Sequence, residues 1–220
     1  MSRTTAIIPV RNEGATVGEV VAVAHASPLV DDVIVVDGDS TDDTREQAAR
    51  QGATVLVERK PGKGEAMITG VQATDADVVV FLDGDLTGLR PHHVDRLVRT
   101  VRAGGAVMAC GLFDRGPALN MLFLHVLPIL TGERALRREL FESLASDDVT
   151  GYRVEAALNA RAGELGERVA AFICTGMFHR QKEEKLDDPL QGKIAKVTMI
   201  LTAFGSYVRY WAHRRFSRLV

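Results

Sequence analysis

Cysteine is nearly absent from this chain. Its two cysteines, Cys110 and Cys174, leave no disulfide framework, and no zinc site without further ligands. Long apolar runs are missing as well. No stretch reaches the roughly 18 uninterrupted apolar residues of a spanning helix, and Ile7 to Val10 is far too short for the core of a signal peptide. A one-signed charge is lacking too. With 27 basic against 29 acidic residues the net charge is −2, which gives no general attraction to nucleic acid. There is no internal repeat, no low-complexity tract and no linker rich in Gly, Ser and Pro. What remains is ordinary globular material. A hydrophobic fraction of 46% and a charged fraction of 25% over 220 residues exclude disorder for most of the chain and suit one large domain.

The first half alternates short β-branched runs with helix-forming stretches. Thr5–Val10, Val33–Asp37, Thr54–Glu58 and Val78–Asp83 read as strands buried on both faces, because they are continuous apolar runs rather than alternating ones. Thr16–Ala26, Asp42–Gln51 and Gly64–Ala73 between them read as helices, the second capped by Thr41 or Asp42. Val107–Gly111 and Arg168–Cys174 read as further strands. Repeated β–α–β crossovers predict an α/β fold with a mostly parallel, doubly wound sheet. Ligands of such sheets bind beyond the carboxyl ends of the strands. Arg11-Asn12-Glu13, Asp37-Gly38-Asp39-Ser40 and Asp83-Gly84-Asp85 stand at three of those ends.

Each loop has a chemical use. Two carboxylates around Gly84 can bend about a hard divalent ion, and such an ion would reverse the repulsion between these acids and a diphosphate. Asp37 can accept hydrogen bonds from a base or ribose, and Ser40–Thr44 offers capping groups and N–H donors at a helix start. Lys63, between Gly62 and Gly64, supplies a point charge for phosphate. The Walker spacing is absent.

Val10-Arg11-Asn12-Glu13, Val36–Thr44, Pro61–Glu65 and Asp83–Asp85, in this order, resemble the nucleotide-sugar half of GT-A glycosyltransferases. Within that superfamily they are most similar to family-2-type enzymes, and especially to glucosyl-3-phosphoglycerate synthases. The resemblance implies a Rossmann-like GT-A sheet flanked by helices. It implies donor contacts from Pro9, Arg11, Glu13, Asp37, Ser40, Lys63, Gly64, Asp83 and Gly84. Asp85 would be the principal ligand of a divalent metal, Mg²⁺ or Mn²⁺, with Asp83 in support. Asp39 stands where the related pattern usually has glycine.

In the second half, Leu130–Arg138 resembles the S/T-G-x-R-A-x-R segment of the acceptor half. Backbone at Thr131 and Gly132, with Arg134 or Arg137, would bind an anionic acceptor or the leaving diphosphate. Read as a helix, this segment puts Arg134 and Arg138 on one face with Arg137 beside them. Gly151-Tyr152-Arg153-Val154-Glu155 looks like the G-Y-G-V-E of the synthases and the G-[FY]-x-x-E of polyprenyl-phosphate sugar transferases. Glu155 is thereby the leading candidate for an acceptor-hydroxyl contact or general base. Asp147 and Asp148 are its rivals, and Tyr152 joins the acceptor site. His179 corresponds to the histidine that completes the metal shell in the synthases; Arg180, to the diphosphate-binding arginine of the polyprenyl enzymes. His92, His93, His125 and His213 have no comparable placement.

Residues 1–190 are expected to form the transferase domain, with a nucleotide-sugar half in 1–110 and an acceptor half in 111–190. Residues 191–220 are expected to form an amphipathic C-terminal helical tail, in which apolar Val197–Val208 is flanked by cations and by Tyr207, Tyr210 and Trp211. The expected activity is metal-dependent hexosyl transfer from a nucleotide-diphosphate sugar, UDP-glucose first, to a small phosphorylated acid such as 3-phosphoglycerate. The alternatives are transfer to a polyprenyl phosphate at the membrane face and a catalytically idle nucleotide-sugar-binding subunit. The synthase resemblance implies retention at the anomeric carbon, and the polyprenyl one inversion. No nucleic acid is expected as a partner. The protein is expected in the cytoplasm, with the tail available for a peripheral membrane contact or a homodimer.

Overall fold

A computed structural model of the chain describes residues 2–60, 62–117, 120–121, 131–144 and 154–180. Asp147, Asp148, Gly151–Arg153, His125 and the tail at 191–220 lie outside the described residues.

The apolar runs form the strands expected of them. β1 (Thr4–Val10) lies between β2 (Asp32–Asp37) and β4 (Val78–Phe81), parallel to both, and β3 (Thr54–Val57) extends the sheet beyond β2. The remaining strands are β5 (Leu86–Thr87), β6 (Met108–Phe113), β7 (Arg134–Arg137), β8 (Val169–Cys174) and β9 (Phe178–His179). Among the described residues the main sheet has the order β3-β2-β1-β4-β7-β6-β8, and β5 pairs with β9 in a small second sheet. The chain leaves β1 in one direction to build β2 and β3 and returns on its other side with β4. That reversal is the topological switch point at which open α/β sheets bind ligands.

Side chains alternate across the sheet, and each face meets its own helices. Ile8, Val10, Val35 and Val80 pack with α1 (Val17–His25) and α4 (Pro91–Arg102), through Val20, Val21, Val94, Leu97 and Val98. Ile7, Val36, Val79 and Phe81 face the other way. They pack with α3 (Lys63–Gln72), α5 (Arg138–Glu142) and α6 (Val154–Glu164), through Met67, Val71, Leu140, Phe141 and Leu158. Phe81 and Phe141 place their ring centroids 5.5 Å apart. Complete burial of a side chain such as Phe81 stabilises the fold by about 2–3 kcal/mol. The remaining helix, α2 (Thr44–Arg50), has Asp43 at its N-cap position, beyond the Thr41 or Asp42 expected there.

One expected element changes identity. Arg134–Arg137 is not helical; it is β7, antiparallel to both β4 and β6, and the helix α5 begins only at Arg138. The segment Arg-Ala-Leu-Arg favours a helix on intrinsic propensity, but two neighbouring strands pair with it, and tertiary pairing overrides that weak preference.

Candidate active site

β7 runs against β4, so its first residue lies beside the last residue of β4: Arg134 pairs with Phe81 and Arg137 with Val78. The loop entering β7, Thr131-Gly132-Glu133, is thereby carried to the carboxyl end of β4, where Asp83-Gly84-Asp85 stands. β8 is parallel to β6, with Cys174 opposite Phe113, and delivers β9 to the same edge. There His179 pairs with Leu86, directly after Asp85.

At the other side of this edge, β1 and β2 end in register at Val10 and Asp37. Their following loops are tied together. The Asn12 amide donates to Ser40 Oγ (2.8 Å), the Thr41 amide to Asn12 Oδ1 (2.9 Å) and the Glu13 amide to Thr44 Oγ1 (2.8 Å). Asp42 accepts from the Gly14 amide and from the Thr44 amide, each at 3.1 Å. Asn12 (φ 55°) and Asp39 (φ 62°) are both left-handed, a conformation that Asn and Asp tolerate best among residues with a Cβ. The Asp39 backbone thus takes a conformation that glycine adopts without strain. Asp37 is 0% exposed. Its Oδ2 receives Arg45 Nε (2.9 Å) and the Ser40 amide (3.0 Å), whereas its Oδ1 is buried without a hydrogen-bond partner. Pro9 is half-buried opposite Val36, and Arg11 is exposed at the rim.

The centre of the edge is a cluster of acids around one ammonium. Lys63, the first residue of α3, places Nζ 2.5 Å from Asp83 Oδ1 and 3.3 Å from Glu155 Oε1. Burial alone would lower the pKa of this lysine, but the Asp83 and Glu155 carboxylates outweigh it and hold the ammonium charged well above the usual lysine range. Gly64 is buried in the next position of the helix. His179 Nδ1 lies 2.8 Å from Asp85 Oδ1, and its Nε2 4.0 Å from Glu133 Oε1.

Two glycines make this proximity possible. A Cβ on Gly132 would stand 2.4 to 2.6 Å from three atoms of the Asp83 carboxylate. A Cβ on Gly84 would stand 2.5 Å from Val10 Cγ1, and the Gly84 carbonyl accepts from Thr16 Oγ1 at 2.7 Å. The spaces a side chain would fill are occupied by the Asp83 carboxylate and by Val10 of β1.

Two arginines of the same strand have opposite placements, and neither is where the sequence put it. Arg134 is 0% exposed. Its guanidinium donates to the backbone carbonyls of Thr131 (Nε, 3.0 Å) and Glu155 (Nη1, 3.4 Å), tying the Gly132 loop to the start of α6. It therefore supports the site from within. Arg137 is carried three residues along an antiparallel strand to the opposite end of the sheet. It lines a cavity of about 340 Å³ there with Asp77, Val78, Arg102 and Arg138, so it is removed from the acceptor site. Thr131 also turns inward: its hydroxyl donates to the Gly111 carbonyl (2.8 Å) and lies against Glu133 Oε2.

Glu133 was not singled out in the sequence. It is 1% exposed, and burial together with the nearby Asp83 carboxylate pushes its carboxyl up to about 7, against the usual 4.5. Its Oε1 has no hydrogen-bond partner. For His179, burial is outweighed by Asp85 and Glu133, and the imidazole pKa is raised. Ligand atoms of Asp83, Glu133 and His179 lie within 4.8 Å of one another. The set of carboxylate oxygens and one imidazole, with an excess of negative charge and an orphaned buried oxygen, fits a hard divalent cation such as Mg²⁺ or Mn²⁺.

Residues 5–159 match the family model described as Glycosyl transferase family 2. The chain belongs to this family. A glucosyl-3-phosphoglycerate synthase of Mycobacterium tuberculosis is 34% identical over 192 residues, covering 69% of this chain and 58% of that protein. The chain thus spans less than two thirds of the length of these synthases. An uncharacterized glycosyltransferase of the same organism is 42% identical over 218 residues, covering 88% of this chain and 94% of that one. Among solved structures, the M. tuberculosis synthase with Mn²⁺, UDP-glucose and glycerol 3-phosphate superposes with a TM-score of 0.77. That match is 30% identical and covers 95% of this chain and 80% of that one. The same enzyme with Mg²⁺ and UDP also gives 0.77, at 29% identity. The mostly parallel sheet with flanking helices is therefore the GT-A fold of these enzymes.

Proposed function

We propose that the protein is a metal-dependent glucosyltransferase that uses UDP-glucose and a small phosphorylated acid of the 3-phosphoglycerate type. The observation that carries this reading is the meeting, at the switch point of a GT-A sheet, of Lys63, Asp83 and Glu155 with the Asp85–His179 pair. The solved synthases hold Mn²⁺ with UDP and glucosyl-3-phosphoglycerate, or Mn²⁺ with UDP-glucose and glycerol 3-phosphate, which supports both donor and acceptor class.

A divalent ion held by Asp85 and His179, with Asp83 beside it, would stabilise the charge of the leaving diphosphate. The chain's own groups supply the rest. The unpartnered oxygen of Asp37 accepts from a base N–H or a ribose hydroxyl. The Lys63 ammonium, already held at the metal-side acid, is positioned for a phosphate oxygen. Glu155, half of an ion pair at the start of α6, holds the carboxylate that orients the sugar or takes up the acceptor proton. Arg134 fixes the backbone on which Glu155 stands.

The alternative acceptor is a polyprenyl phosphate. Among the described residues no helix is long and apolar enough to cross a membrane. The deciding experiment offers UDP-glucose and Mn²⁺ with either 3-phosphoglycerate or a short-chain polyprenyl phosphate, and follows UDP release and product mass. Glucosylated phosphoglycerate is expected. Glucosylated lipid alone would move the assignment to the membrane reading. Donor binding without release under either acceptor would leave a binding subunit.

A further inference from the structure

The third residue of a helix can cap it when it is Glu or Gln, whose side chain reaches back to the N-cap amide. In α4 a histidine does this. His93 Nδ1 accepts from the Arg90 amide at 3.2 Å, while the His93 amide donates to the Arg90 carbonyl at 2.9 Å. His93 is 5% exposed. It also meets the turn between β8 and β9, where the Thr175 carbonyl accepts from the ring. With Nδ1 taken by the Arg90 amide, the donor is Nε2–H.

These two turns flank the Asp85–His179 pair. Arg90 follows β5, and Thr175 opens the path from β8 to β9. Their backbones are in close contact: a Cβ on Gly88 would stand 2.0 Å from the Gly176 carbonyl oxygen. β9 itself has little to hold it. Of residues 175–179 Met177 alone is buried, and Phe178 is 54% exposed. The strand is two residues long and pairs with β5, where Thr87 Oγ1 donates to the Phe178 carbonyl at 3.3 Å. A strand so short and exposed opens readily unless the turn that leads into it is fixed.

We propose that His93 is a positioning residue for His179: accepting from Arg90 at Nδ1 and donating to Thr175 at Nε2, it clasps the β8–β9 turn to the β5–α4 turn and so holds His179 beside Asp85. Only the uncharged imidazole makes both contacts, because a proton on Nδ1 would face the Arg90 N–H, donor against donor. Burial lowers the pKa of this ring; His92 and Arg90 lower it further, and the Thr175 carbonyl opposes them. The His92 ring stands beside it, with centroids 4.1 Å apart. A folded-state pKa below the unfolded value means that the clasp is intact at neutral pH and is lost as pH falls through the folded value. The consequence at the site rests on the metal-dependent reading above; the clasp itself does not.

Amide hydrogen exchange in the metal-free protein reads the clasp, and Mn²⁺ affinity without nucleotide reads its consequence. Both are measured at neutral pH for the wild type, His93→Gln, His93→Phe and Gly88→Ala. Phenylalanine fills the space of the ring without its hydrogen bonds, whereas glutamine can accept from Arg90 and donate to Thr175. In His93→Phe the amides of Arg90 and β9 should exchange about 5- to 10-fold faster, those of β1 and β4 at wild-type rates, and Mn²⁺ affinity should fall about 10-fold. Glutamine should bring both readouts back to within about 3-fold of the wild type. Gly88→Ala, which drives the two turns apart, should exceed His93→Phe in both. At about pH 5, wild-type exchange at these amides, corrected for its intrinsic pH dependence, should approach that of His93→Phe, and that of His93→Gln should not change. Unchanged exchange at β9 in His93→Phe would overturn the proposal, because the ring would then only fill space. Faster exchange throughout, β1 and β4 included, would overturn it by making His93 a support of the whole fold. So would faster exchange at β9 with unchanged Mn²⁺ affinity, or equal damage in His93→Gln and His93→Phe with no effect of acid on the wild type. If the wild type binds no Mn²⁺, the exchange pattern alone decides the clasp, and the metal-dependent reading is what fails.

Discussion

The two sides of the candidate site are built by different means. The side formed by β1, β2 and their loops is local: each functional residue follows its strand within a few positions, and short hydrogen bonds between the two loops, such as Asn12 to Ser40 and Glu13 to Thr44, set the shape. The other side is assembled over long sequence distances. Asp85 meets His179 across 94 positions, and Lys63 on α3 meets Glu155 on α6. The first construction resists point changes because several backbone contacts share the load. The second hangs on single close approaches and should be the more fragile.

The most damaging change expected is at the approach of Gly132 to Asp83. Gly132→Ala drives a Cβ into the Asp83 carboxylate and must push it away from Lys63. UDP release in the presence of acceptor should fall by about 100-fold or more, since small misplacements cost that much in an oriented site. Next come two carboxylates, one from each side. Glu155→Gln should lower turnover by about 100-fold and leave UDP-glucose affinity within a few-fold. Asp37→Asn should weaken donor binding by about 10-fold with turnover at saturating donor retained. Calorimetry beside steady-state kinetics separates the two, and identical phenotypes would erase the distinction between the halves.

Arg134 and Arg137 sharpen it further, because one strand carries both. Removing the buried guanidinium in Arg134→Met leaves the carbonyls of Thr131 and Glu155 unpaired, with an expected cost of about 2–4 kcal/mol in chemical denaturation. Arg137→Ala should stay within about 0.5 kcal/mol and keep full activity.

The smallest effect is one of pH in the metal-free protein. The Glu133 carboxyl, raised from 4.5 to about 7, keeps its proton in the folded state after the unfolded chain has lost it. Folding then binds more protons, and stability falls as pH rises through that window. His179, also raised, acts in the same sense just above its usual range. Thermal scans with chelator should show Glu133→Gln gaining stability relative to the wild type from about pH 5 to about pH 8. A constant difference would mean that Glu133 stays ionised throughout.

The same contrast explains what could be read from the sequence. The local half was legible. Continuous apolar runs located β1, β2 and β4, and the polar residues after each one lie together at the carboxyl edge of the sheet. Asp39, odd against the related pattern, has the left-handed backbone that glycine would supply there. The other half was only partly legible, for a physical reason. Periodicity reports which face of a segment is buried, not which strand pairs with it. Arg134–Arg137 therefore read as a basic helix until its antiparallel pairing with β4 and β6 was seen. With β7 unrecognised, nothing marked Glu133 as buried, and Arg137 could not be told from Arg134. His179 was found through family resemblance, because no local signal joins it to Asp85.

The central claim is that both halves meet in one metal-dependent donor site. Its most direct test is calorimetric titration of UDP-glucose into the protein with and without Mn²⁺, repeated for Asp85→Ala. The account predicts binding that requires Mn²⁺ and is lost in the variant. Binding of equal strength without metal, or in Asp85→Ala, would contradict it, as would the absence of binding by the wild type with Mn²⁺ present.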